Sequence, residues 1–164
     1  MSHSRIYQLS SHPIKKEDYE IPDSFYENSS DFADYIGDEQ TGDNRKEDIE
    51  YLADRLSGLF SLDEKADALV YKGGKAMQKF KEAWADAIRN AANEITADNV
   101  LESSLRWKVR SICRETHLQT PLRVKIEEWN GWAGPMSDLI EWTAYKNFKK
   151  GKKIYVGSVI DYHY

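Results

Sequence analysis

Residues 75–95 narrow the possible folds more than any other part of the chain. Met77, Phe80, Trp84, Ile88, Ala91 and Ile95 recur at steps of three and four, so they share one face of a helix. Alanines fill the neighbouring positions and favour the helix intrinsically. A face this apolar must be buried against other elements of the same chain. The hairpin "GLFSLDEKADALVYKG" precedes it, with apolar arms at 59–62 and 68–72 around a charged turn. After it, Thr96 is placed to cap a second helix with the stripe Leu101, Leu105, Val109 and Ile112.

The remaining elements supply strands for these helices to cover. "SRIYQLS" reads as a strand, with Ile6 on one face and Tyr7 and Leu9 on the other. Pro22 opens a short helix, "PDSFYE", and Ser30 and Gly37 bracket another in "SSDFADYIGDE". Asn44 with Glu47 resembles a capping box ahead of Ile49, Leu52, Ala53 and Leu56, and Gly58 ends that helix. Pro121 precedes the strand "LRVKIEEW", a helix spans about 135–148, and "IYVGSVIDYHY" is the last strand. The expected fold is α+β, with about five strands in a mostly antiparallel sheet and helices packed on one face. A chain of 164 residues is most simply one domain over 1–164, able to bury a core without staples.

Three of the five tryptophans lie in "WNGWAGPMSDLIEW". Trp129 ends a strand and Trp142 lies in a helix, so both are expected in the core. Trp132 sits between two glycines, as core or lid packing or as an exposed anchor for a partner.

The net charge of −5 hides a division. Residues 17–67 hold 17 acidic side chains against four basic ones, and the rest of the chain holds 11 acidic and 19 basic. The acidic segment mixes Asp31, Asp34, Asp38 and Glu39 with Phe32, Tyr35 and Ile36, a composition suited to a basic protein partner or to plain solvation. Arg106, Arg110 and Arg114 repeat every fourth residue, and His117 continues their line. Such a stripe can bind nucleic acid, a phosphorylated ligand or an acidic partner, or pair with the chain's own acidic segment. Trp107 is read as off the stripe.

Other chemistry is thinly represented. "YKGGKA" places Lys72 and Lys75 around two glycines at a helix start, yet it lacks the first glycine and the hydroxyl residue of a phosphate loop. The four histidines and single cysteine show no metal-ligand spacing, so neither metal nor cofactor is expected. Cys113 cannot form an internal disulfide and reads as a part-buried apolar residue. No nucleophile, dinucleotide or metalloprotease motif is present, which argues against an enzyme. "MSHSRIYQ" lacks the apolar run of a signal peptide, and no stretch reaches the roughly 18 uncharged residues of a membrane helix. A cytoplasmic protein without a membrane partner is expected.

"SRIYQLSSHPIKKEDY" with "DFADYIGDEQTGDNRKEDIEYLADRL" resembles the start of small uncharacterised proteins carried by bacterial phages and integrative elements. The resemblance covers about the first third of the chain and implies a context, not an activity. "KIYVGSVIDYHY" is similar to the opening strand of acidic antirestriction proteins that mimic DNA, but here it comes last, and no functional residue carries over. The leading expectation is a non-enzymatic bacterial accessory protein that binds a protein through the acidic segment and Trp132. The alternatives are nucleic-acid binding through Arg106, Arg110 and Arg114, and action on a phosphorylated small molecule at Lys72–Lys75.

Overall fold

The computed structural model describes residues 2–164. Its elements run β1 (His3–Ser10), short 3-10 helices at Lys16–Asp18 and Pro22–Asn28, β2 (Tyr35–Glu39), α1 (Gly42–Arg55), β3 (Phe60–Asp63), β4 (Ala68–Tyr71), α2 (Gly74–Asn93), α3 (Ser103–Glu115), β5 (Arg123–Ile126), α4 (Met136–Tyr145) and β6 (Lys153–His163). The strands form one sheet in the order β3-β4-β6-β1-β5, with β2 also paired to β6. Only β1 and β5 run parallel; the other pairings are antiparallel. This is the expected α+β fold.

Strand alternation divides the apolar side chains between two faces. Tyr7, Leu9, Val124, Ile126, Ile154 and Val156 join Leu52 of α1, Met77 and Phe80 of α2, and Leu139 and Trp142 of α4 in the larger core. Ile6, Ile36, Ile160 and Tyr162 form a smaller cluster with Phe25 and Ala133.

The sheet has six strands among the described residues, one more than expected, because 35–39 pairs with β6 instead of continuing a helix. The second half of β6 leaves an edge open, and the flanking Asp34 and Gln40 N–H groups donate to His163 and Val159 carbonyls at 2.8 and 2.7 Å. Tertiary pairing therefore overrides the local helix signal. Asn44 and Glu47 form no capping box, because α1 starts at Gly42 and both lie inside it. Helix α3 starts at Ser103, not after Thr96, whose N–H is taken by Asn99 Oδ1 at 2.7 Å. Leu101 is thereby left 89% exposed, and of the expected stripe only Ile112 is fully buried.

The tryptophan corner also differs. Strand β5 stops at Ile126, so Trp129 falls in the following turn and is exposed, its ring tilted against Tyr145 with centroids 5.4 Å apart. Trp142 is fully buried, edge-on to Phe148 at 5.1 Å. Asn130 closes the corner: its Oδ1 accepts from the Ile126 N–H at 2.8 Å, and its Nδ2 donates to Asp138 Oδ2 at 2.7 Å.

The register of β1 against β6 shifts between Tyr7 and Leu9. There Gln8 is buried, and its Oε1 accepts from the N–H groups of Glu20 (3.1 Å) and Ser158 (3.0 Å). Its Nε2 donates to the Asp18 carbonyl and to Glu127 Oε1, both at 2.9 Å. Gln8→Met would keep the volume and strand those buried groups, so it should lower unfolding free energy by about 2–4 kcal/mol in urea titrations. An unchanged midpoint and slope would show that Gln8 carries no such burden.

Candidate functional site

The acidic candidates come together at one end of the sheet. Phe32 and Ala33 pack against the smaller cluster and hold the turn that exposes Asp31 and Asp34. Asp38 and Glu39 lie on β2, where Asp38 is exposed and Glu39 is half-buried. Among the described residues, none of these four carboxylates forms an ion pair. Ala133 packs into the same cluster, and its neighbour Trp132 is 41% exposed. The cluster thus anchors both the acidic turn and the loop carrying Trp132.

The basic candidates lie elsewhere, on α3. Arg106 and Arg110 are exposed and Arg114 is half-buried. The Arg110 guanidinium lies 4.9 Å from the Trp107 ring centroid. Trp107 is therefore a partner of the stripe, contrary to the reading from spacing, because residues three apart are neighbours on a helix and arginine is long enough to reach. The ring is 61% exposed, and Arg106 donates to the Val100 carbonyl. His117 departs from the expected line. It lies beyond the end of α3, after Thr116 at φ 60, and its ring packs on Phe80 at 4.5 Å. Burial pushes its pKa down. Cys113, expected to be part-buried, is exposed.

The two charged regions do not neutralise each other through α3. Ion pairs that leave the acidic segment run from Glu17 to Lys15, Asp48 to Arg5, Glu20 to Lys125 and Asp63 to Lys153. No ion pair among the described residues involves Arg106, Arg110 or Arg114. The Lys72–Lys75 turn shows little of a phosphate site: Lys72 turns back to the Ser57 carbonyl, and Gly73 adopts φ 101 beside Lys150.

A cleft of about 600 Å³ opens between the first 3-10 helix, the end of β2 and the start of α1. Arg45 lines it, but the guanidinium is already engaged. It pairs with Asp67 at 2.6 Å and donates to the Val156 and Gly157 carbonyls at 3.0 and 2.8 Å. Arg45 is therefore committed within the fold, and the other cation lining the cleft is the exposed Lys16, beside Glu17, Glu39 and Asp67.

Spacing along the chain misses one constellation entirely. His3 and His163 face each other across the β1–β6 pair, two residues along from Asp161 on β6. His3 Nδ1 and His163 Nε2 lie 3.2 and 3.1 Å from Asp161 Oδ2. These residues come from opposite ends of the chain, so only strand pairing brings them together.

No protein-family model, curated protein or solved structure matches this chain. No helix among the described residues is long and apolar enough to cross a membrane.

The lowered pKa of His117 has a consequence for acid stability. Below about pH 6.5 the unfolded chain takes up a proton before the folded one does, so stability falls as pH drops towards the folded value. His117→Phe removes this contribution, and its urea midpoint should fall less between pH 7.5 and 5.5 than that of the unaltered protein. Equal losses would show that His117 titrates alike in both states.

Proposed function

We propose that the protein is a non-enzymatic accessory protein of a bacterial mobile element, and that it binds a protein partner with a basic surface. The observation that carries this reading is that, among the described residues, Asp31, Asp34, Asp38 and Glu39 form no ion pair, together with Trp132 exposed beside the same cluster. Unpaired carboxylates speed encounter with a basic surface, and a large ring beside them adds the desolvated contact that holds it. The resemblance of the first third to phage and integrative-element proteins supports the context.

A second reading rests on its own observation. The exposed Trp107 ring with Arg110 stacked on it, next to Arg106, offers a cation and an aromatic face together, as single-stranded nucleic acid requires.

Affinity capture with purified protein as bait separates the two readings. The D31K/D34K/D38K/E39K variant should lose, by tenfold or more, a nuclease-resistant and salt-labile protein partner that the unaltered protein retains. Equal retention by both proteins would overturn the protein-partner reading. If nucleic acid is the ligand, R106A/R110A/R114A should reduce the slope of log affinity against log salt by up to about 3. An unchanged slope would count against the second reading.

A further inference from the structure

The geometry points to a binding site for a late first-row divalent metal ion, of the zinc class, formed by His3, Asp161 and His163. It does not depend on the partner reading above.

The donor set and its spacing both fit. Two imidazole nitrogens and one carboxylate oxygen suit zinc and its neighbours in the first transition row. Bonds of about 2.0–2.1 Å in a tetrahedral set separate neighbouring donors by roughly 3.3 Å. Asp161 Oδ2 lies 3.2 Å from His3 Nδ1 and 3.1 Å from His163 Nε2, and the ligating atoms all lie within 4.8 Å of one another. The rings themselves sit close, with centroids 3.9 Å apart. Little rearrangement is needed for one ion to replace the contacts that these groups now make among themselves.

The surroundings orient the carboxylate. Arg5 holds Asp161 by Oδ1, leaving Oδ2 toward the imidazoles. Arg5 is held in turn by Asp48 Oδ2 at 2.7 Å, so two carboxylates flank one guanidinium and a negative charge remains for an ion. An outer residue that fixes a ligating carboxylate in this way is typical of metal sites. Gly37 contributes by having no side chain, since a Cβ there would lie 2.9 Å from Asp161 Oδ2. Its φ lies outside the left-handed region, so room for the carboxylate, not backbone conformation, calls for glycine.

Access is open on one side. The His3 side chain is 59% exposed, whereas those of Asp161 and His163 are 14% and 19% exposed. Three protein ligands leave one tetrahedral position facing solvent, the arrangement that lets water or a partner's side chain complete the sphere. Because His3 opens β1 and His163 closes β6, the ion would tie both strands at the end of the sheet where β2 is anchored.

The test is calorimetric titration of tag-free, EDTA-stripped full-length protein with zinc sulfate, alongside thermal melts. The expected result is one ion bound per chain and a rise in melting temperature of roughly 5 °C in excess zinc. His3→Ala and His163→Ala should each weaken binding by tenfold or more. His3 is exposed, so its variant tests the site without endangering the fold; His12→Ala, another exposed histidine, should bind as the unaltered protein does. Absence of saturable one-to-one binding would overturn the proposal. So would unchanged affinity in His3→Ala, or an equal loss in His12→Ala.

Discussion

Strand β6 changes partners halfway along, and the break in its ladder is the constraint on which the sheet depends. On one edge it pairs first with β4 and then with β2, while β1 runs along the other edge with a register shift between Tyr7 and Leu9. Around the break, the Val156 and Gly157 carbonyls and the Ser158 N–H are bonded by side chains. Each such buried group costs about 1–3 kcal/mol if left alone. Arg45 takes the two carbonyls and Gln8 takes the N–H, so two side chains on different elements close the gap. Gly157 is needed because a Cβ there would lie 2.9 Å from both the Gln8 amide carbon and Ile14 Cδ1. Before the break, Ile154 and Val156 feed the larger helical core; beyond it, Ile160 and Tyr162 feed the smaller cluster.

This arrangement explains why one polar end of the sheet can be so crowded. Past the break, alternation puts Asp161 and His163 on a common face, where His3 and Arg5 of β1 meet them. The smaller cluster on the other face braces the turn with Asp31 and Asp34 and the loop with Trp132. The carboxylates proposed to bind a partner lie on that turn and on β2, whereas the residues proposed to hold an ion lie on β1 and β6.

Much of the fold was legible in the sequence because it rests on long periodic signals. Helix α2, the β3–β4 hairpin, β1 and β6 all fall where alternation or helical spacing puts them. What the sequence concealed depended on pairing at a distance. Residues 35–39 look helical until the open edge of β6 is known, and Leu101 looks buried until the start of α3 is fixed at Ser103. The acidic residues and the arginine stripe are legible because each is local, whereas the contact of Arg110 with Trp107 joins residues three apart and falls outside the four-residue spacing of the stripe. His3, Asp161 and His163 carry no local signal at all, since 158 positions separate His3 from Asp161.

The central functional claim is that the acidic surface faces outward, ready for a partner. Carboxyl footprinting read by mass spectrometry tests it most directly, on the isolated protein and again after addition of lysate from the source cells. Asp31, Asp34, Asp38 and Glu39 should be modified readily in isolation and protected by the lysate, with exposed Asp86 and Glu82 as unprotected controls. Weak modification of the four in isolation would mean that they are already neutralised within the fold. Equal modification with and without lysate would mean that no partner covers them; either result would overturn the proposed acidic docking surface.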